Sequence, residues 1–414
     1  MKNLKFVIEY QCPQCGAPAT LTETDRLFTC EFCRVKSYLL PGDYFRYVLP
    51  MNVPQEEEIF YFPYWRFKGT LFSCVRNGIR EKRINISYQA LESRYFPLSL
   101  KFRDQVLKMQ FVSPKNEGRF LHPEHPFGDV REKLEQRFEF QVKERVYHQA
   151  NISEAFNLIY SPYYVKDKLY DAVLNKPAKY QPDEFDIDLS EGKPSEWHLK
   201  FLPTLCPNCA WDLEGDRDSV VLMCRNCSSA WQPDQDRFTQ LKFGLIPPDK
   251  KGSDITYLPF WRIGVHIAGI DLDSYADLVK ISKLPLAIKP EWHEIPFHFW
   301  ALGFTFRPKM LSFASKMTFC QPVQSLEDKI PENAKLYPVT YPVAEAIGTL
   351  KIILANFIST KSIRYRKLSE IRIKPESHLL VFVPFVDKHL ELIQTNFNLS
   401  ILKSQLYYDK KGDS

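Results

Sequence analysis

Glycine is scarce in this chain, which has 15 glycines and 30 prolines among its 414 residues. No glycine cluster fits the phosphate-binding loop or the dinucleotide fingerprint, so the sequence gives no support to nucleotide-dependent chemistry. The serine elbow of the hydrolases and the motif set of the protein kinases are also missing. We therefore predict that the protein is not an enzyme. An enzyme of an unrecognised type, with its site between two halves of the chain, is the remaining alternative.

Long apolar runs are missing as well. The most apolar stretch, residues 343–358, contains Glu345 and Lys351 and falls short of the roughly 20 residues that a membrane-spanning helix needs. The apolar run at residues 6–8 is too short for the core of a signal peptide. We expect a protein without a transmembrane segment that resides in the cytoplasm, where cysteines more often bind metal than form disulfides.

Eight of the ten cysteines follow one spacing that occurs twice. The first set is Cys12, Cys15, Cys30 and Cys33, and the second, 194 residues further along the chain, is Cys206, Cys209, Cys224 and Cys227. Each set contains two Cys-x-x-Cys knuckles with 14 residues between them, which is enough for two short strands and a turn. Four thiolates at this spacing are typical ligands of a tetrahedral Zn²⁺ ion, and they leave no coordination position for a substrate.

The two cysteine segments, residues 12–33 and 206–227, resemble the zinc-ribbon family found in transcription, replication and adaptor proteins. The resemblance implies two structural Zn²⁺ ions held by the eight cysteines. Iron held by the same four thiolates is an alternative, and redox-active cysteine pairs are another. The resemblance does not imply one function, because ribbons contact nucleic acids, contact proteins or only stabilise a fold.

The residue after the first knuckle differs between the two ribbons. Gly16 follows the first knuckle of ribbon 1, where it can adopt the positive φ that such turns often require. Ribbon 2 has Ala210 at the equivalent position. We therefore expect the knuckle of ribbon 2 to be slightly strained or differently shaped.

A second repeat lies downstream of the cysteines. The segment 61–66, Tyr-Phe-Pro-Tyr-Trp-Arg, recurs as Tyr-Leu-Pro-Phe-Trp-Arg at 257–262, and the segment 161–165 resembles 383–386. Every second residue in the first pair is apolar, which predicts strands with one buried face that includes the tryptophan. The proline suggests an edge strand or the first turn of a strand. Because the features recur in the same order, we interpret the chain as two tandem copies of one module.

The predicted fold class is α+β, with two tandem β-rich modules that are each led by a four-cysteine zinc ribbon. Helices are predicted at 129–148 and 343–358, where the pattern is amphipathic or apolar. The predicted domains are ribbon 1 at 1–40, module 1 at 41–176, an acidic proline-containing linker at 177–196, ribbon 2 at 197–240 and module 2 at 241–414.

These features favour a non-enzymatic zinc-binding scaffold or adaptor that acts through protein–protein interaction within a larger assembly. The candidate partner contacts are Arg66, Arg262, Arg364, Arg366 and Lys367. The first two occupy equivalent positions of the repeat. Each of them either braces its ribbon through a local carboxylate or carbonyl or contacts a ligand, and we favour bracing.

Nucleic-acid binding is the alternative function, carried by ribbon 1 and the basic runs 76–83 and 361–374. The formal net charge of +5 gives it little support, because each four-thiolate Zn²⁺ site carries a net charge of −2 and two such sites reduce the total to +1. Ribbon 2 is itself acidic, since residues 196–240 include four basic and seven acidic side chains. No nucleotide or organic cofactor is indicated.

Overall fold

The computed structural model describes residues 7–52, 57–100, 108–126, 128–130, 132, 144–179, 181, 197, 199–248, 254–282, 286–305, 311–322 and 325–406. Strands dominate these residues. In chain order they are β1 Val7–Gln11, β2 Pro18–Leu21, β3 Leu27–Thr29, β4 Lys36–Leu40, β5 Phe45–Val48, β6 Ile59–Val75, β7 Gly78–Gln89, β8 Lys108–Phe111, β9 Arg119–Phe120, β10 Val146–Val165, β11 Leu169–Asp171, β12 Lys176–Pro177, β13 Lys200–Pro203, β14 Leu222–Cys224, β15 Ser229–Asp234, β16 Arg237–Leu241, β17 Phe243–Leu245, β18 Ile255–Ala268, β19 His298–Leu302, β20 Lys335–Leu336, β21 Arg372–Asp387, β22 Glu391–Gln394 and β23 Leu399–Leu402.

Helices are fewer and occur mainly in the second half of the chain. They are α1 Tyr275–Ile281, α2 Leu311–Cys320, α3 Val343–Phe357, α4 Ile363–Arg366 and α5 Lys403–Leu406, with a 3-10 helix at Pro290–His293. The strand-rich content is consistent with the predicted α+β class. Within the described parts of the chain, no helix is long and apolar enough to cross a membrane.

The chain forms two compact units that differ from the predicted domains in their bounds. The first contains Met1–Gly69, Arg83–Phe138 and Ser153–Thr204, and the second contains Thr70–Lys82, Glu139–Ile152 and Leu205–Ser414. The division cuts β6, β7 and β10, so each of these strands contributes residues to both units. Most of the predicted linker, 182–196, lies outside the described residues.

The strand pairings around the two repeat segments correspond one by one. Strand β6 pairs with β7, β9 and β10, and β18 pairs with β19, β20 and β21. The short strands β9 and β20 are parallel to β6 and β18, and β5 and β17 are parallel to β10 and β21. Each set ends with two further strands, β11 and β12 or β22 and β23, that extend the sheet from β10 or β21.

Proline is accommodated inside these sheets, so the prediction of edge strands is wrong. Strand β18 lies between β19 and β21. Pro259 faces Phe382 of β21, and its carbonyl accepts a hydrogen bond of 3.0 Å from the Gly303 amide, one residue past the end of β19. In β6, the Pro63 carbonyl accepts a hydrogen bond of 3.0 Å from the Ala90 amide, one residue past the end of β7. Each proline, which has no N–H to donate, therefore lies opposite the first residue past the end of the neighbouring strand.

The two repeat tryptophans occupy equivalent, buried positions. The Trp65 indole N–H donates to the His125 carbonyl at 2.8 Å, and the Trp261 indole N–H donates to the Tyr341 carbonyl at 2.9 Å. Both rings are buried, as predicted for the apolar face. The prediction of one buried face fails for β6, which is covered on both faces along almost its whole length, and holds only for the second half of β18.

One of the two predicted helices is confirmed. Helix α3 occupies Val343–Phe357 and buries its apolar side chains in the core of the second unit. The predicted helix at 129–148 is wrong at its C-terminal end, because Val146 begins strand β10. Its residues Asp129, Val130 and Glu132 are helical as predicted, and residues 131 and 133–143 lie outside the described residues. Here β-branched and aromatic residues that continue into a long paired strand override the helical charge pattern.

We predict that Trp261→Phe lowers the free energy of unfolding by about 2–4 kcal/mol, because it removes the buried hydrogen bond from the indole to the Tyr341 carbonyl and leaves a cavity. Urea denaturation of the zinc-loaded protein measures this change. The matched control is Trp211→Phe, since Trp211 is 59% exposed and should change the value by less than about 0.5 kcal/mol. Equal effects at the two positions would contradict the structural role of Trp261.

Candidate metal centres

The first cysteine quartet gathers four sulfur atoms at metal-binding distance. The Sγ atoms of Cys12 and Cys33 are 3.7 Å apart, and those of Cys15 and Cys30 are 3.6 Å apart. All four lie within 4.8 Å of one another. A tetrahedral ion with metal–sulfur bonds of about 2.3 Å requires sulfur–sulfur distances of about 3.8 Å. The quartet therefore fits one Zn²⁺ ion.

The second quartet has the same geometry. The Sγ atoms of Cys206 and Cys227 are 3.6 Å apart, and those of Cys209 and Cys224 are 3.5 Å apart. These four sulfurs also lie within 4.8 Å of one another. Four thiolates complete the tetrahedron in each quartet, so an ion held there has a structural role and no position for a reacting water.

Three of the four knuckles make the same backbone turn. The amide of the residue that follows each knuckle of ribbon 1, Gly16 or Arg34, donates to the carbonyl of Cys12 or Cys30, at 2.8 and 2.9 Å. The equivalent bond in ribbon 2 joins the Ala210 amide to the Cys206 carbonyl at 2.8 Å.

The residue that follows each of the four knuckles has a positive φ. The values are 72° for Gly16, 60° for Arg34, 57° for Ala210 and 49° for Ser228. The positive φ predicted for Gly16 is therefore found. The strain expected at Ala210 has a physical basis, because a residue with a Cβ atom adopts this region at a cost of about 1–2 kcal/mol.

The segment between the two knuckles of ribbon 1 contains two short strands, β2 and β3, as its length suggested, but these strands do not pair with each other. Instead β2 pairs with β1 and β3 pairs with β4. Each knuckle therefore sits in its own antiparallel hairpin, with Cys12 directly after β1 and Cys30 directly after β3.

Hydrogen bonds stabilise particular thiolates in each quartet. The Cys33 backbone N–H lowers the pKa of the Cys30 thiol to about 6, and the Asn226 side chain lowers the pKa of Cys209 to about 6. In ribbon 2, the Trp231 indole N–H donates to the Ser229 hydroxyl at 2.8 Å, and this hydroxyl lies 3.0 Å from the Cys227 sulfur. Because the indole uses an acceptor position of the oxygen, the hydroxyl proton is free to point at the thiolate.

Sequence reasoning missed this serine. Ser229 lies two residues after the last cysteine of ribbon 2, and ribbon 1 has Val35 at the equivalent position. A hydroxyl so close in sequence to a ligand is a signal that could have been read as an outer-shell partner. Its indole donor also comes from two residues further along the same strand, β15.

Arg66 lies against the turn of ribbon 1. Its Nε is 3.1 Å from Oε1 of Glu23, which lies between the two knuckles, and it also contacts the Asn85 side chain. Arg66 is 1% exposed and Glu23 is 7% exposed. This contact corresponds to bracing, the role favoured for the repeat arginines.

The equivalent Arg262 is half-buried, and burial lowers the pKa of its guanidinium. It faces Trp300 of β19 and Leu379 of β21 across the sheet. Among the described residues, no ion pair links it to ribbon 2. The two repeat arginines thus occupy the same strand position in different surroundings.

The other three predicted contact residues are all exposed. Arg364 and Arg366 belong to the short helix α4, and Lys367 follows it and approaches Glu370 at 3.5 Å. These residues lie in the second unit and are remote in sequence from both cysteine quartets. Their partner-binding role stays a prediction.

Two titratable groups outside the quartets are held uncharged by burial. Burial raises the pKa of the Cys74 thiol to about 12, which keeps it protonated and unreactive. Burial, with a contribution from Lys351, lowers the pKa of His148 to about 3. Neither group is in a state suited to nucleophilic or acid–base catalysis at neutral pH.

A cavity of about 490 Å³ lies in the first unit, lined by residues 41–46, 111–112, 197 and 199–200. The guanidinium of Arg46 occupies an aromatic cage there, 4.2 Å from the ring centroid of Tyr44 and 4.9 Å from that of Trp197. Asp43 pairs with the same guanidinium at 2.8 Å. Two charged groups of this cavity, Arg46 and Asp43, are therefore paired with each other.

Comparison of the chain with protein-family models, curated proteins and solved structures found no match.

We predict that the purified protein contains two zinc ions per chain and that Cys15→Ser or Cys209→Ser reduces this to one, because three thiolates hold the ion far less tightly. Elemental analysis after gel filtration measures the content. Cys320→Ser is the matched control, since Cys320 belongs to neither quartet, and it should retain both ions. A metal-free wild-type protein would refute the assignment.

We predict that Arg66→Met lowers the free energy of unfolding by about 3–5 kcal/mol, because it leaves the buried Glu23 carboxylate unpaired. The double variant Arg66→Met, Glu23→Gln should recover part of the loss. Arg262→Met is the control and should cost clearly less, since no buried carboxylate faces it in the described residues. If urea denaturation shows that Arg66→Met and Arg262→Met are equally stable, the bracing role of Arg66 is wrong.

Proposed function

We propose that this chain is a non-enzymatic scaffold or adaptor, built from two tandem copies of one zinc-ribbon-led module, that binds another protein within a larger assembly. The corresponding strand pairings around the two Pro-aromatic-Trp-Arg segments support the duplication. The two closed four-thiolate centres support a structural role for zinc. Each ion fixes two knuckles relative to each other and so holds the surface of its ribbon in one conformation.

The observation that carries the proposal is that each ribbon exposes large apolar side chains beside its metal centre. Phe32 lies within the second knuckle of ribbon 1 and is 70% exposed. In ribbon 2, Trp211 is 59% and Leu205 is 50% exposed, and they flank the first knuckle. Exposed aromatic side chains on a rigid support are typical of protein-binding surfaces.

Ribbon 2 also indicates the character of its partner. Leu205 pairs across an antiparallel bridge with Asp212, which is exposed. Glu214, nearby on the same ribbon, is paired with Arg225 at 2.7 Å. Together with the net negative charge of the four-thiolate zinc centre, this surface is complementary to a protein segment that combines apolar and basic side chains.

A second candidate function is nucleic-acid binding through ribbon 1 and the basic runs 76–83 and 361–374. What supports it is the exposure of the basic side chains, including Arg76, Arg364 and Arg366. Ribbon 1 supports it less, because its second knuckle exposes the acidic Glu31 and the apolar Phe32, and because its Arg66 is paired with Glu23.

We predict that affinity purification of the full-length protein from its native source recovers a stoichiometric protein partner, and that Trp211→Ser loses it at least about tenfold, because removing an anchoring aromatic side chain costs 2 kcal/mol or more. Quantitative mass spectrometry measures the recovery. Leu390→Ser is the control, because Leu390 is 70% exposed and lies outside both ribbons. Equal recovery with the wild type, Trp211→Ser and Leu390→Ser would contradict the proposal. So would a partner that is lost when nuclease removes the nucleic acid.

A further inference from the structure

Two basic segments that are far apart in sequence meet in the second unit. The hydroxyl of Tyr365 donates a hydrogen bond of 3.0 Å to the Gly78 carbonyl, across 287 positions of the chain. Tyr365 is fully buried within helix α4, whose N-terminus is capped by the Ser362 side chain. Because Tyr365 points inward, its neighbours Arg364 and Arg366 remain exposed.

The partner segment is a tight hairpin turn. Strand β6 ends at Val75 and β7 begins at Gly78, so Arg76 and Asn77 form a two-residue turn with Arg76 exposed. Gly78 has a φ of 122°, a value that only glycine adopts readily. The turn therefore presents Arg76 next to the segment that carries the α4 arginines.

A third segment joins the same place. The ring of Tyr147 packs edge-on against Tyr365 with 5.8 Å between the centroids, and the Arg145 guanidinium lies 5.8 Å from the Tyr147 centroid. Arg80, on the hairpin, pairs with the neighbouring Glu144. We call residues 76–82, 144–145 and 361–374 together the basic face.

The basic face concentrates the positive charge of the protein. It contains ten basic and three acidic side chains, a net charge of +7, whereas the whole chain has +5. The rest of the chain is therefore at −2 before the two zinc centres are counted. Glu144 pairs with Arg80 and Glu370 pairs with Lys367, and the face has seven more basic than acidic side chains. Such a separation of charge inside one molecule favours binding of a polyanion.

The chemistry of the face points to phosphate groups. Six of its ten basic side chains are arginines, and the planar guanidinium can bind two phosphate oxygens at once. The aromatic residues at this place are unsuited to base stacking, because Tyr365, within the face, is buried and Tyr147, packed against it, is half-buried. Phosphate contact without stacking is how proteins hold the backbone of a duplex, whereas single strands are held by exposed aromatic side chains.

We infer that the basic face binds the phosphate backbone of double-stranded nucleic acid as a single surface, with no requirement for ribbon 1. The inference rests on the second candidate function and makes it specific. Tyr365 is a positioning residue, because its hydroxyl connects the α4 segment to the hairpin and does not itself face solvent. The hairpin and the α4 segment must then act together on one ligand.

The test measures binding of the zinc-loaded full-length protein to duplex DNA and duplex RNA of about 20 base pairs by fluorescence anisotropy, between about 50 and 200 mM salt. If about five phosphates are contacted, the logarithm of the affinity falls with the logarithm of salt with a slope of about −4 to −5. Arg76→Glu and Arg366→Glu should each weaken binding roughly tenfold and reduce the slope by about one. Tyr365→Phe should weaken binding and leave the slope unchanged.

The controls use the same charge change elsewhere. Arg237→Glu and Lys388→Glu replace exposed basic residues outside the basic face and should alter the affinity much less. Circular dichroism and zinc content show that each variant is folded. If Arg76→Glu binds like the wild type while Arg366→Glu does not, the single-surface inference is overturned although nucleic-acid binding stands.

Two other results would overturn more than the inference of a single surface. Wild-type protein that binds neither duplex at about 50 mM salt would remove both the inference and the second candidate function, while the proposed protein scaffold would remain. Binding to phosphatidylserine vesicles but to neither duplex would assign the basic face to a membrane surface instead. In that case Ile363, which is 69% exposed within the face, would be the side chain to enter the lipid.

Discussion

The ribbons depend on one constraint, which is that four thiolates must share a small volume. In each quartet the sulfurs lie within 4.8 Å of one another, a distance at which four negative charges repel strongly without a central cation. A divalent ion bound by the four thiolates would remove this repulsion and join the two knuckles of each ribbon. The positive φ after every knuckle is a consequence, because the chain must turn sharply enough for two sulfurs to face the same ion.

Beyond this constraint, the strand pairings around β6 and β18 correspond, whereas the contacts that support the two ribbons differ. The long strands β6 and β18 make the same set of pairings and anchor their tryptophans to a loop carbonyl in the same way. Ribbon 1 is supported by the buried pair of Arg66 and Glu23. Ribbon 2 has instead a hydroxyl, Ser229, that lies against a thiolate and is itself held by an indole.

The surfaces that remain available are of two kinds and lie on different parts of the chain. The ribbons expose the apolar side chains of Phe32 and Trp211 beside the cysteine quartets. The basic face displays charge on a hairpin and a short helix joined through Tyr365. A closed metal centre performs no chemistry, and the buried Cys74 and His148 are held in their uncharged forms.

The sequence by itself determined the features that depend on local spacing. The eight ligands follow from two identical cysteine spacings, helix α3 from an apolar run, and strands β6 and β18 from alternation. Only the tertiary structure decided that β2 pairs with β1 and β3 with β4, and that β6 and β18 lie inside their sheets. It also decided the contacts of Arg66 with Glu23 and of Tyr365 with Gly78. These contacts join residues 43 and 287 positions apart, and no periodicity encodes which distant backbone or carboxylate a side chain will meet. They are set by how whole sheets pack, which depends on the sum of many weak contacts along the chain.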